Sequence, residues 1–375
     1  MPQKKQKLHR TPRKLRYRLA TGLVALFLLF AVTLVYVVFN AINQPPYPDK
    51  PTPQYITVNP PAIETDYQTG EKTARLRVLT YNVAALPVPV RFGREHALEQ
   101  MAAFLADLQD TGRAPHIILL QEAFDPEAVK PLVEHAGYAN YVHGPKLEDK
   151  APKLGAQYTQ GFKRNMFVFT GEGWGKLNHS GLAILSNLPI VKKHSRPFKY
   201  CAGWDCLANK GVLAVEVEIP QMPGRLLIAN THLNARKAAE VPFARSLFAH
   251  NLQIYELKYF AQTVWDRQMP LIFGGDFNIR NKEDRIQHAL AVLGKDEPYM
   301  LPRYYCLDRR NNCDIQLDLQ GERPWARTQD IQGFANGNQV SVEPVKIMAM
   351  FDGGVFGEAL SDHDGYLVEY VLRWK

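Results

Sequence analysis

The chain has 375 residues, a formal net charge of +8, 46% hydrophobic residues and four cysteines beside 25 Gly and 26 Pro. This composition excludes a disordered polyelectrolyte and a disulfide-built miniprotein, and it supplies apolar material for a large core. The charge is local: residues 1–18 hold eight of the 45 Lys and Arg and no acidic residue, leaving 37 basic against 37 acidic residues elsewhere. The excess is a tail property, and the formally neutral remainder counts against a polyanion partner for the main domain.

Residues 19–39 (LATGLVALFLLFAVTLVYVVF) carry no charge and are long enough to cross a bilayer as a helix. A transmembrane signal-anchor is expected over residues 19–42, with residues 1–18 as a basic cytoplasmic tail. Everything beyond would lie on the far side, periplasmic or extracellular, most simply outside a bacterial inner membrane. A cleaved signal peptide would have a shorter apolar core and a better small-x-small site than residues 39–41 offer. Residues 43–70 hold seven prolines, Pro45, Pro46, Pro48, Pro51, Pro53, Pro60 and Pro61, and read as an extended stalk. Residues 71–375 then form a single domain.

Within that domain strands are expected at 76–81, 117–120, 182–185, 212–219, 226–230 and 271–273, several continuously apolar and therefore buried on both faces. Leu98, Met101, Leu105 and Leu108 share one helical face, as do Ile254, Leu257, Ala261 and Val264. Cys201 with Cys206 and Cys306 with Cys313 pair by proximity as loop staples, which an extracytoplasmic compartment permits. A Cys-rich metal site fits less well, because neither spacing is CxxC and no His is interleaved.

Polar residues sit where apolar runs stop: Asn82 after RLRVLT, Gln121 and Glu122 after HIILL, His232 after RLLIA, Asp276 and Asn278 after PLIFGG, and Asp362 and His363 before the terminal strand. Singly, each is an ordinary turn, cap or loop residue. Together the hard oxygen donors suit Mg²⁺, with Mn²⁺ as a substitute, and the histidines suit proton transfer and anion stabilisation, a combination that points to phosphoryl chemistry.

The ordered series TYNV, LLQEAF, SGLAILSNLPI, NTHLNA, GGDFN and LSDHD resembles the endonuclease/exonuclease/phosphatase superfamily over residues 80–364. The resemblance implies an α/β (α+β) four-layer sandwich of two packed mixed sheets flanked by helices, and metal-dependent hydrolysis of a phosphate ester. It implies Glu122 as principal Mg²⁺ ligand, with Asn82 and Asp362 at the metal. Asp276 would orient the attacking water or assist the leaving group, Asn278 and His232 would donate to phosphoryl oxygens, and His363 would be the general base. Family members carry an Asp that orients this histidine; the alignment places Met348, in Lys346-Ile347-Met348-Ala349, where it belongs, and Asp352 is the candidate replacement.

His232 in the NTHL position disfavours the abasic-site nucleases. The stretch GWDCLANKG (203–211) resembles the Asp-x-Leu-Ser-Asn-Lys-Gly segment of bacterial neutral sphingomyelinases, which makes Asn209 and Lys210 candidate substrate-binding residues; read from the residues alone it is a disulfide-closed surface turn with a solvated lysine. Trp325 and Phe334 fall where those enzymes carry a membrane-touching hairpin, although scattered aromatics more often belong to a core. The substrate expected is a phosphodiester, preferably a phospholipid headgroup cleaved by direct water attack, at a membrane reached through the N-terminal helix. The alternatives are an extracytoplasmic nuclease acting on DNA or RNA, and a catalytically impaired phospho-ligand-binding protein.

Overall fold

The computed structural model describes residues 13–50, 58–279, 284–294, 298–316 and 329–375. The chain divides into two compact units, one ending at Asn43 and one running from Gln44 to Lys375. The first holds a 30-residue helix, α1 (Arg13–Ile42). Its stretch Leu23–Ile42 is long and apolar enough to cross a membrane.

The second unit contains β1 (Ile63–Thr65), β2 (Lys72–Ala85), α2 (Arg94–Asp110), β3 (Ile117–Ala123), α3 (Pro126–His135), β4 (Asn140–His143), α4 (Ala156–Thr159), β5 (Ala183–Ser186), β6 (Ile190–Pro197), β7 (Gly211–Val217) and β8 (Leu226–His232). It continues with α5 (Phe243–Val264), β9 (Leu271–Asp276), α6 (Asp284–Leu293), α7 (Pro302–Tyr305), β10 (Asp314–Ile315), β11 (Asp330–Ala335), β12 (Ser341–Met350) and β13 (Gly365–Trp374). One sheet has the order β10-β12-β13-β2-β3-β5-β4, with β1 on β2; the other has the order β11-β9-β8-β7-β6. Both are mixed: β2 runs parallel to β3, and β8 parallel to β9, while most other pairs are antiparallel.

The six expected strands all form, and their continuous apolar character has the expected cause. Leu76, Val78, Ile117, Leu119 and Ile184 of the first sheet bury against Leu213, Val215, Ile228, Ile272 and Phe334 of the second. The alternate residues Leu79, Tyr81, Ile118 and Leu120 face Leu98, Met101 and Leu105 of α2 and Val129 and Leu132 of α3. On the outer side of the second sheet, Ile254 and Phe260 of α5 and Ile286 of α6 pack near Phe277 and Leu271. The layers therefore run helix, sheet, sheet, helix. Disulfides join Cys201 to Cys206 and Cys306 to Cys313.

The proline-rich segment differs from a free stalk. The Tyr47 hydroxyl donates to Glu134 Oε1 at 2.7 Å, and Asp49 accepts the His143 backbone N–H and the Lys193 ammonium, each at 2.8 Å. Lys50 bridges to Tyr141, Val58 N–H reaches Asn187 O, and β1 joins β2. Prolines prevent helix here, but the side chains between them find partners on the domain surface, so the segment docks. Phe334 is fully buried in β11, its ring 5.7 Å from Tyr305 and 6.0 Å from Tyr370, because β11 is a strand whose neighbours are core aromatics. It has no exposed face to offer a membrane. Trp325 lies outside the described residues.

Candidate active site

Strand direction gathers the polar residues. Because β2 and β3 are parallel, Asn82 and Glu122 emerge at the same end, and the same holds for His232 and Asp276 on β8 and β9. β11 is antiparallel to β9 with Asp330 opposite Asp276, so its first residue arrives at that end. β13 is antiparallel to β2 with Tyr366 opposite Thr80, which brings the preceding His363 there as well.

Local backbone chemistry aims these groups. Ala84 and Glu122 both take left-handed φ, +47° and +55°, where the β2–β3 register shifts. Such φ values are rare for residues with a Cβ and mark positions held by their surroundings. Gln121 goes between the sheets, donating to Asn230 Oδ1 at 2.8 Å, while Glu122 reaches the cleft. Asp125 caps α3, accepting from Glu127 N and Ala128 N, which fixes the turn that follows Glu122. In GGDFN, Gly275 has φ +141° and a Cβ there would stand 2.0 Å from Thr231 O. Only glycine lets β9 approach β8 so closely beside Asp276.

The Asn82 amide donates to Glu122 Oε1 and to Asp276 Oδ2, each at 3.1 Å. Asp276 Oδ2 lies 3.4 Å from His232 Nε2 and 4.0 Å from His363 Nε2, and its Oδ1 accepts Asn278 N–H at 2.8 Å. Two groups bring ligand atoms within 4.8 Å of one another: Glu122 with His232 and Asp276, and Asp276 with Asp330 and His363. Lys210, buried, sits 2.8 Å from Asp205 Oδ1 and 3.0 Å from His232 Nε2. Asp205 Oδ2 also accepts the Ala235 N–H.

Charge in this setting is costly to bury, and the pKa directions show it. Desolvation raises Glu122, with Lys210 opposing. Desolvation also raises Asp276, assisted by Asp330. Burial, with Lys210 and His363 nearby, holds His232 well below its ordinary value, so its imidazole is neutral. With Lys210 an ammonium donor, His232 Nε2 accepts and Nδ1 carries the proton; that buried Nδ1 has no protein partner. Burial alone would lower His363, but Asp330 at 3.1 Å from Nδ1, with Asp276 and Glu122, raises it to about 10.

Of the residues expected from sequence, Asn82, Glu122, His232, Asp276, His363 and Lys210 converge. Asn278 lies beside Asp276, its side-chain amide donating to Leu233 O at 3.0 Å. Asn209 instead donates to Lys146 O and Asp149 O and holds a loop together, because its side chain is turned into backbone. Asp362 stands outside the cluster: it pairs with Arg91 at 3.1 Å and its side chain is 64% exposed.

Met348 and Asp352 do not supply the histidine's carboxylate. Met348 lies inside β12 opposite Leu367 and packs in the α2–α3 core, and Asp352 Oδ1 accepts Gly354 N–H within its own loop. Asp330 fills the role, one strand earlier and in the other sheet. Asp205 was also missed. An Asp opening an alternating apolar run (DIQGFA) is the signal that could have found Asp330.

A cleft between two mixed sheets, lined by buried carboxylates around an amide, a lysine and a carboxylate-held histidine, has the donors and acceptors that phosphate-ester hydrolysis requires. The donor set fits a hard divalent cation: the carboxylates of Glu122 and Asp276, whose charge burial opposes, have ligand atoms already close together, while Asn82 turns its NH₂ to both and its oxygen to Ala84 N–H. The model of the endonuclease/exonuclease/phosphatase family matches residues 79–363. The chain belongs to this family, one of divalent-metal-dependent enzymes.

Sphingomyelin phosphodiesterase 5 of Danio rerio is 26% identical over 231 residues, covering 55% of this chain and 39% of that protein. This chain thus matches about two fifths of that relative's length. Among solved structures, beta toxin from Staphylococcus aureus is similar at TM-score 0.51 and 16% identity, covering 78% of this chain and 99% of its own. SmcL is similar at TM-score 0.51 and 19% identity, covering 79% and 98%. A Danio rerio TDP2 complexed with a single-strand DNA product reaches TM-score 0.50 at 13% identity, covering 79% and 98%. These structural likenesses are of fold.

Proposed function

We propose that this chain is a membrane-anchored phosphodiesterase that releases a phosphorylated headgroup from a phospholipid by direct attack of water, with sphingomyelin the first substrate to test. The observation that carries the hydrolytic reading is the Asp330–His363–Asp276 arrangement next to Glu122. Asp330 fixes His363 with Nδ1–H toward its carboxylate, so Nε2 faces Asp276 and, once it has given up the proton that the surrounding carboxylates favour, accepts one from water entering between them. A divalent cation held by Glu122 and Asn82 would neutralise charge on the phosphoryl oxygens. The neutral His232, its Nδ1–H unpaired, donates to a phosphoryl oxygen, and Lys210 fixes its tautomer. Asp276 orients the water through Oδ2, its other oxygen being held by Asn278 N–H.

The lipid substrate is supported by the sphingomyelin phosphodiesterase relative and by the apolar helix α1. Basic residues 1–18 favour a cytoplasmic N-terminus, which would place the catalytic domain outside the cytoplasm; both disulfides suit such a compartment. The test is release of phosphocholine from sphingomyelin-containing vesicles, dependent on Mg²⁺ and abolished by Glu122→Ala or His363→Ala. Cleavage of plasmid DNA with no release from any lipid would replace the lipid reading with a nuclease.

A further inference from the structure

A cavity of about 660 Å³ borders the Cys201–Cys206 turn. Its walls come from the β4–β5 loop, the connection between β6 and β7, and the start of α5. Asn209 lines it, but Glu122, Lys210, His232, Asp276 and His363 do not, so it is separate from the catalytic cleft. The volume suits a small organic ligand.

Five basic and three acidic side chains line this cavity. Arg245 is committed: buried, it grips both Glu172 oxygens at 2.9 and 2.7 Å, and its guanidinium lies 4.0 Å from the Phe162 ring centroid. Lys150 and Arg164 are exposed, as are Glu148 and Asp149, and these four charges balance. The positive excess therefore falls on Lys176 and Lys199, both half-buried. Lys176 Nζ donates to Ala208 O at 2.7 Å, but among the described residues neither ammonium has an ion-pair partner. The carboxylates near Lys176 are engaged elsewhere: Asp205 pairs with Lys210, and Glu256 accepts the Lys199 and Tyr200 N–H groups. Burial lowers the Lys176 ammonium to about 8; Asp205 and Glu256 oppose the shift, and repulsion from Lys210 and Lys199 adds to it. Half-buried charges without counter-charges are costly to keep, and two that repel each other in one cavity mark a place for an anion. Gly173 and Gly175, at φ +90° and +91°, give the same wall bare backbone that a ligand can approach closely.

We infer that this cavity is a second anion site, separate from the catalytic cleft, that takes a phosphate or phosphomonoester dianion between Lys176 and Lys199. Such a group carries nearly two negative charges at neutral pH and three strong acceptor oxygens, which matches two ammonium groups; a phosphodiester or a carboxylate brings only one charge. The inference does not depend on which diester the catalytic cleft accepts, because no residue of that cleft lines the cavity.

The test is calorimetric binding of inorganic phosphate and of phosphocholine to the full chain in detergent with chelator present. Wild type should bind, and Lys176→Gln/Lys199→Gln should bind at least about tenfold more weakly. Gln keeps a donor for Ala208 O, so this variant should hydrolyse bis-p-nitrophenyl phosphate at the unaltered rate once Mg²⁺ is restored. His363→Gln, altered only in the cleft, should bind as wild type does. Tighter binding of phosphocholine than of phosphate would make a phosphorylated headgroup the ligand, and the reverse order would make it free phosphate. No binding by wild type, undiminished binding by the double variant, or loss of binding in His363→Gln overturns the site. A second measurement needs no variant: acylation of Lys176 in the wild-type chain by a succinimidyl ester, read by mass spectrometry, should slow at least about threefold in phosphate relative to chloride of equal ionic strength. Equal rates in the two salts overturn the inference.

Discussion

Replacing Asp330 by Asn removes one charge from a fully buried site and little else, because the amide has the carboxylate's shape. The carboxylate accepts the His363 Nδ1–H at 3.1 Å, and it is the strongest of the charges that raise His363 to about 10 against the lowering effect of burial. An amide can turn its NH₂ toward Nδ1, which moves the proton to Nε2 and leaves no lone pair facing Asp276 and the water. The expected loss is in kcat, about 10²- to 10⁴-fold, with KM little changed, since the wrong tautomer spoils proton transfer and not binding. The residual activity should also begin at lower pH, because losing Asp330 lets the His363 pKa fall. The assay is bis-p-nitrophenyl phosphate hydrolysis across pH with saturating Mg²⁺. Asp352→Asn, which touches the turn at Gly354 and leaves the Asp330 carboxylate in place, should stay within about threefold of wild type. A kcat for Asp330→Asn within threefold of wild type, or a larger loss from Asp352→Asn, would refute the assignment.

Lys210→Met should lower hydrolysis about 100-fold and destabilise the domain by about 3–5 kcal/mol, because Asp205 is left with a largely buried, uncompensated charge; urea unfolding beside kinetics checks both, and a fully stable variant would contradict the pairing at 2.8 Å. Gly275→Ala should cost about 3 kcal/mol or more through the forced approach to Thr231 O, read as a lower unfolding midpoint; an unaffected midpoint would contradict it. In chelator, the contribution of three site groups to stability should fall as pH rises. Glu122 and Asp276 are raised above 4.5 and 3.8, and His363 is raised from 6.5 to about 10. Each binds its proton more tightly when folded, so its contribution is complete below its unfolded pKa and is lost as pH climbs through the folded value. Added Mg²⁺ should therefore raise the unfolding temperature more at mildly alkaline than at acidic pH, and an equal or reversed increment would count against these groups as its ligands.

The strands and the end at which they deliver function were legible because buried parallel pairs write themselves as unbroken apolar runs, and the polar residue that ends each run has few structural reasons to be there. TYNV, QEAF, NTHL and GGDFN are all of this kind. Asp330 was not legible for a topological reason. The family pattern points to the strand immediately before SDH, but that strand, β12, pairs with β13 in the first sheet, while the carboxylate comes from β11, which pairs with β9 across the cleft. Sequence proximity and spatial proximity part company wherever a chain crosses between sheets. Asp362 misled in the opposite way: one residue from His363, it turns outward to Arg91. The docking of Tyr47, Asp49 and Lys50 was hidden because prolines report on backbone and say nothing of the partners found by the side chains between them.

The central claim, a divalent-metal phosphodiesterase whose cation site is built on Glu122, is tested most directly by one titration. Hydrolysis of bis-p-nitrophenyl phosphate is followed as Mg²⁺ is added to metal-free wild type and to Glu122→Gln. The wild type should gain activity saturably, and the variant, which keeps the shape and the Asn82 contact but loses the charge, should need far more Mg²⁺ and remain at least about 10³-fold slower. Hydrolysis in the presence of chelator, or a Glu122→Gln enzyme that follows the wild-type curve, would contradict the account.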